Sequence, residues 1–234
     1  MSLPSLATPT FKTSIPSTGE EIRFRPFLVK EEKILYMTLE GGDTRDTSQA
    51  VAEILTNCVS TPGFDPTKLA SFDIEYLFLM LRAKSVGEVV NVNVLHTDKT
   101  ECSSSTEVEI NLDEIKVVKT PDHKNEIDLG DGVGMKLKYP NIFSMTSVSQ
   151  SEIDKALDMI SSCIVNVWDD NQVYDDFTRE EALDFVSKLS KKQFDNVLEF
   201  FNTMPKLSHK VKFHCDKCGK DDEANIEGLQ SFFG

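Results

Sequence analysis

The stretch "KFHCDKCGK", residues 212–220, places two thiols, Cys215 and Cys218, three positions apart at the end of an alternating, strand-like run. Such a pair can supply half of a tetrahedral zinc site, carry a redox cycle, or occupy a turn without chemistry. Gly219 directly after it gives the backbone freedom that a tight knuckle needs. Redox use requires the pair at a helix N-terminus, where the helix dipole depresses a thiol pKa. Here the text continues as "GKDDEAN", which does not open an apolar helix.

A second segment follows the same plan. "VNVNVLHTDKTECSSSTEVEINLDEI" (90–115) and "HKVKFHCDKCGKDDEANIEGLQSF" (209–232) each run as an alternating strand, a polar knuckle containing Cys, an acidic return strand and an apolar finish. A zinc ribbon is assembled in this way, from two knuckles that each contribute two ligands. The first knuckle is irregular, offering Cys102 and, six residues earlier, His96 where a regular ribbon has a second Cys-x-x-Cys. Three outcomes stay open on the residues alone. Cys215, Cys218, Cys102 and His96 hold one structural zinc, or His214 or His209 completes a different set, or the two hairpins pack without metal.

Outward from these hairpins the texture of the chain alternates. "TFKTSIPSTGEEIRFRPF" reads as an N-terminal hairpin within residues 1–28, restricted to edge or irregular pairing by Pro9, Pro16 and Pro26. A helical block over 29–85 follows. In it Leu28, Ile34, Leu35 and Leu39 precede Gly41 and Gly42, Val51, Ile54, Leu55 and Cys58 recur at helical spacing, and Ile74, Leu77, Phe78 and Leu81 form one stripe. Residues 86–140 turn to β texture, with alternation at Val90, Val92 and Val94 and again at Val108, Ile110 and Leu112, and a hairpin turning on Asp131-Gly132. A second helical block spans 141–206. Its helix starts are read at Ser151 and Ser190, and "TREE" (178–181) matches a capping box. The segments "EIDKALDMISSCIVNVW", "REEALDFVSKL" and "KQFDNVLEFFNTM" are amphipathic, and "DDNQVYDDF" between the first two is an acidic loop or short hairpin. Residues 207–234 form a ribbon-like tail expected to pack on the central β region. The fold class expected is α+β: helical blocks flanking a central antiparallel β region, with a zinc-ribbon-like pair of hairpins.

Composition narrows the function. With 39% hydrophobic residues, 234 residues can bury a sizeable core. No run of about 18 apolar residues is present and "MSLPSLATPTFKTS" lacks the pattern of a signal peptide, so a soluble, unsecreted chain without a membrane span is expected. Five cysteines, an odd number, argue against a disulfide framework and for a reducing compartment; Cys58 and Cys163 lie in apolar helical text and read as buried small hydrophobes. A net charge of −14 opposes nonspecific nucleic-acid binding. Lysines do gather late in the chain (Lys188, Lys191, Lys192, Lys206, Lys210, Lys212, Lys217, Lys220), but without interleaved aromatics or arginines, which favours a solvated face or docking onto an acidic protein. "LGDGVGMKL" has no Gly-Lys-Ser/Thr and continues as a strand, so it is a hairpin turn and not a phosphate loop. "DDNQVYDD" lacks the sixth-position Gly and closing Glu of a calcium loop. The histidines (His96, His123, His209, His214) have no triad context, and no hydrolase or metalloprotease signature occurs, so no enzyme activity is expected.

The phrases "FRPFLVKEEKILYMTLEGGD" (24–43), "AVAEILTNCV" (50–59), "FDIEYLFLMLRAKSVGEVVNV" (72–92) and the closing "LQSFF" (229–233) resemble the T4-like phage baseplate hub family, which includes a baseplate hub subunit and a related hub assembly catalyst. The likeness runs from about Phe11 to Phe233 and includes the order of the blocks. It implies a non-enzymatic role in building the hub of a contractile tail, as an assembly factor or minor structural part. The implied partners are other hub or tail proteins, and the implied location is the host bacterial cytoplasm during assembly or the baseplate of the virion tail. No catalytic residues carry over. The family's metal-type knuckle maps onto Cys215 and Cys218, whereas "HTDKTEC" (96–102) departs from it. Leu229, Phe232 and Phe233 are the candidate partner-docking residues. The rival expectation is a zinc-ribbon accessory module that binds nucleic acid or a partner enzyme through the lysine-rich tail.

Overall fold

A computed structural model describes residues 6–39, 47–96, 102, 104–144 and 151–228. The chain forms two compact units, one from Met1–Pro66, Phe72–Val118 and Lys206–Gly234, the other from Thr67–Ser71 and Lys119–Pro205. All strand pairings among the described residues are antiparallel, which together with the helices makes the fold mixed α+β, as the sequence leads one to expect.

In the first unit, strands β1 (Phe11–Ser14) and β2 (Glu21–Phe24) pair as a hairpin with Phe11 opposite Phe24. Its turn is tied down by Asp73, fully buried in helix α3 (Ser71–Val86), whose carboxylate accepts the Ser17 N–H at 2.9 Å and the Ser17 hydroxyl at 2.6 Å. Helix α1 (Val29–Leu39) begins where Glu31 reaches back to the Leu28 N–H at 2.8 Å. The same buried carboxylate takes the Arg25 guanidinium at 2.9 Å, so a charge with almost no access to water is both paired and hydrogen-bonded. Helix α2 (Thr47–Cys58) buries Val51, Ile54, Leu55 and Cys58, the positions its spacing marks; the glycines read as the stop of α1 lie outside the described residues. In α3 the stripe Ile74, Leu77, Phe78 and Leu81 is buried, and so are Phe72, Leu79, Met80 and Ala83. A helix apolar on every side belongs inside the core, and α3 is the central helix of this unit.

The remaining strands of this unit are β3 (Val89–Leu95), β4 (Ser105–Asn111), β5 (Lys116–Val118), β10 (Lys206–His214) and β11 (Asp221–Glu227). β3 and β4 form one hairpin, and β10 and β11 another; the start of β10 also pairs with β5, giving the order β11-β10-β5. Alternation holds along β3, where Val90, Val92 and Val94 face inward, and along β10, where Leu207, Val211 and Phe213 do.

The second unit is a four-stranded meander, β6 (Glu126–Gly130), β7 (Val133–Leu137), β8 (Ile164–Trp168) and β9 (Val173–Tyr174), with helices α4 (Glu152–Cys163), α5 (Arg179–Ser187) and α6 (Lys191–Thr203). Its core joins Met135, Leu137, Ile160, Cys163, Val186, Val197 and Phe200. Asp131 and Gly132 both take positive φ (53° and 76°), the conformation that an Asp-Gly two-residue hairpin supplies. Ser151 caps α4, and Thr178 and Ser190 form full capping boxes on α5 and α6. One element departs from the sequence reading: the helix read through Trp168 ends at Cys163. The following Ile164, Val165 and Val167 are β-branched and join β7, with Lys138 N–H bonded to the Cys163 carbonyl at 2.8 Å. Trp168 then lies so close to Gly134 that a Cβ there would stand 2.3 Å from its ring. The acidic segment forms the β8–β9 hairpin, where the Asp169 carboxylate accepts the N–H groups of Asn171 and Gln172 at 2.8 and 2.9 Å.

Burial in α3 pushes the Glu75 carboxyl from its ordinary 4.5 up to about 7. A raised acid pKa means that folding disfavours the ionised form, so the penalty is absent below about 4.5 and complete above about 7. Glu75→Gln is therefore expected to leave stability unchanged near pH 4 and to raise it at pH 8 by on the order of 2–3 kcal/mol, read by urea denaturation at both pH values.

Candidate metal centre

Strand register places the candidate ligands of both cysteine-carrying hairpins; of the segment read as the first knuckle, residues 97–101 and 103 lie outside the described residues. β3 and β4 pair down to Leu95 opposite Ser105, and the His96 N–H then closes on the Ser104 carbonyl at 3.0 Å. His96 thus continues the inward series Val90, Val92, Val94 by one more step of two. β10 and β11 pair down to His214 opposite Asp221, after which the Cys215 N–H bonds the Lys220 carbonyl at 2.9 Å and the Gly219 N–H bonds the Cys215 carbonyl at 2.8 Å. Gly219 at φ +70° makes this turn. Cys215 continues the inward series Val211, Phe213 in the same way and is fully buried.

Four residues from the two hairpins meet. One ligand atom each from His96, Cys102, Cys215 and Cys218 lies within 4.8 Å of all the others; the first three residues are buried and Cys218 is half-buried. Cys102 Sγ and Cys215 Sγ are 3.7 Å apart, and Cys218 Sγ is 3.6 Å from His96 Nδ1. Tetrahedral zinc with Zn–S of about 2.3 Å and Zn–N of about 2.05 Å separates two sulfurs by about 3.8 Å and a sulfur from a nitrogen by about 3.6 Å. Both spacings agree with these values, and the sulfur–sulfur distance is far longer than a covalent S–S bond of about 2.05 Å. The donor set, three thiols and one imidazole, is that of a closed structural zinc site.

The surroundings favour the thiolate at Cys102 and Cys215 and disfavour it at Cys218. The Ser104 hydroxyl, 3.0 Å from Cys215 Sγ and 3.1 Å from Cys102 Sγ, is the largest influence lowering both thiols, and with the N–H groups of Cys218 and Lys217 it brings Cys215 to about 6. For Cys218 the Lys220 N–H acts downward, but burial and the neighbouring thiols outweigh it and the net shift is upward. His96 is held above its ordinary value, first by its hydrogen bond with Cys102. On its far edge His96 Nε2 stands 3.4 Å from Asp222 Oδ2, and its ring packs edge-on against Phe213 at 6.3 Å.

With this geometry in place, comparison with known proteins adds one match. A family model described as T4 bacteriophage base plate protein matches residues 8–234. The chain belongs to this family. No curated protein and no solved structure matches. The resemblance read from the sequence thus holds at the level of the base plate family, and the metal-type cluster belongs to a base plate protein.

The other singled-out residues of this base plate protein separate from the cluster. His214 faces the opposite side of its strand, 2.8 Å from Asp221, and His209 lies further back in β10, so the donor set is completed by His96. His123, in the second unit, is a half-buried histidine stacked on Tyr139 and tilted against Phe200, with a pKa lowered by burial. Cys58 and Cys163 are buried, and burial pushes each to about 11. Leu229, Phe232 and Phe233 lie outside the described residues. Two residues that touch the cluster, Ser104 and Asp222, were not singled out by motif; the only signal for Asp222 is its inward position in the series Ile226, Ala224, Asp222 on β11.

Elemental analysis of the purified chain is expected to find one zinc per molecule. Cys215→Ser is expected to remove it, whereas Cys163→Ala leaves it in place. Since the cluster bridges residues 113 positions apart, its loss costs on the order of 4–5 kcal/mol of loop-closure entropy, a fall in thermal midpoint of roughly 10 °C by calorimetry.

Proposed function

We propose that this base plate protein is a non-enzymatic component or assembly factor of the baseplate hub, acting through contacts with other phage tail proteins, and that its cluster holds one structural zinc. The observation that carries the zinc and its structural role is the donor set itself: three thiols and one imidazole within 4.8 Å of one another, two of their spacings matching tetrahedral zinc, make up the four protein ligands of a closed structural site. Family membership supports a place in the tail, and the resemblance of "FRPFLVKEEKILYMTLEGGD" and its companion phrases supports the hub. When bound, zinc supplies charge neutralisation to the thiolates and a cross-link between two hairpins. The protein's own residues do the rest: Ser104 and the knuckle amides hold the sulfurs, and the surrounding strands keep them from water.

The lysine-rich tail fits protein contact better than nucleic-acid binding. Lys210 pairs with Glu223 at 3.4 Å, Lys212 stands opposite Glu223 in register, Lys188 pairs with Asp184, and Lys191 pairs with Asp195. Interleaved acids of this kind weaken the positive potential that phosphate binding needs. Among the described residues, no helix is long and apolar enough to cross a membrane.

A tagged copy expressed in infected host cells is expected to bring down tail proteins, and deletion of residues 229–234 to abolish that recovery while the far-UV circular dichroism stays unchanged. Mass spectrometry of mature particles then assigns the role: recovery in the virion baseplate marks a structural part, and presence only in the host cytoplasm marks an assembly factor. Filter retention of DNA or RNA at low salt, together with no tail protein in the pull-down, contradicts the proposal.

A further inference from the structure

We propose that Asp222 is the outer-sphere partner of the metal centre, accepting the Nε2–H of His96 so that Nδ1 is the nitrogen presented to the metal; this rests on the zinc reading above. Three observations converge. The imidazole is directional in the structure: Nδ1 is 3.6 Å from Cys218 Sγ on the thiol side, and Nε2 is 3.4 Å from Asp222 Oδ2 on the other. The His96 side chain is 3% exposed, so both ring nitrogens have to find their partners inside the protein. Asp222 occupies an inward position on β11, in step with Ala224 and the buried Ile226, where the rule of alternation calls for an apolar residue.

Asp222 is half-buried there, and its Oδ1 accepts the Glu223 N–H at 2.8 Å while Oδ2 is the oxygen that stands toward His96. A carboxylate behind a metal-bound histidine fixes the tautomer and ring orientation and raises the basicity of the ligating nitrogen, and removal of such a partner weakens metal binding by about 10–100-fold. Asp222 is therefore a positioning residue: it acts on the metal through His96. The register explains how it reaches, since Asp222 pairs with Phe213 on β10 and the Phe213 ring packs against His96, so one cross-strand pair faces the imidazole from two sides.

The test uses the full chain and zinc alone, titrated in competition with a chromophoric chelator. Zinc bound at one equivalent by the wild type establishes the parent reading; a wild type that binds none removes the metal centre and this inference together. Asp222→Ala is expected to weaken zinc binding by about 10–100-fold at unchanged stoichiometry. Asp222→Asn, whose carbonyl oxygen can still accept the Nε2–H, is expected to recover most of the loss, and Asp221→Ala, on the opposite strand face beside His214, to change nothing. Long-range nitrogen-15 correlation spectra of the wild-type zinc form are expected to show His96 protonated at Nε2 and metal-bound at Nδ1, a readout that does not depend on any variant folding. A wild type that binds zinc through Nε2, or an Asp222→Ala affinity within twofold of wild type, overturns the role of Asp222 and leaves the metal centre standing.

Discussion

Three sulfur atoms and one imidazole nitrogen converge within 4.8 Å in a place where three of their four residues are buried. Without a cation, thiols packed this closely cannot all ionise, because each thiolate raises the cost of the next and burial raises the cost of all. A divalent ion reverses the sign of that problem: it turns mutual repulsion into a shared attraction and makes the tightest part of the first unit a cross-link. The constraint reaches far along the chain, since Cys102 and Cys215 are 113 residues apart. The hairpins they terminate, β3–β4 and β10–β11, are each only two strands wide as paired ribbons, the second widened by three residues of β5. Two-stranded ribbons are marginal alone, so packing on each other and on a core is what keeps them folded.

Much of this site was legible in the sequence because strand alternation is a strict rule. The alternation read at Val90, Val92 and Val94 carries on in the structure to the buried His96, and that of Val211 and Phe213 to the buried Cys215. The shared plan of the two segments made Cys102 and His96 one candidate completion of the Cys215–Cys218 pair, beside a set with His214 or His209 and packing without metal. Motif spacing could not reveal Ser104 and Asp222, whose roles exist only once the strands are in register: each acts across space on a residue from a different part of the chain.

The fold shows the same division between local and tertiary information. Capping residues Ser151, Thr178 and Ser190, and the Asp131-Gly132 turn, are local devices and appear where their side-chain chemistry predicts. The end of α4 is different. "SSCIVNVW" continues the apolar text of a helix, and it is pairing of Ile164 to Trp168 with β7, absent from any local window, that converts it to strand. Likewise the four-residue stripe read on α3 understates its burial, since a helix at the centre of a core shows less periodicity than one at its surface. Within a base plate protein, these features describe two folded units of which the first carries the cluster.

X-ray absorption at the zinc edge on the purified, reduced chain tests the central claim most directly. The account predicts a first shell of three sulfurs at about 2.3 Å and one nitrogen at about 2.0–2.1 Å, with the outer-shell pattern of an imidazole. A shell made of oxygen and nitrogen alone, or a protein that purifies without bound metal and takes up none when zinc is added, contradicts it.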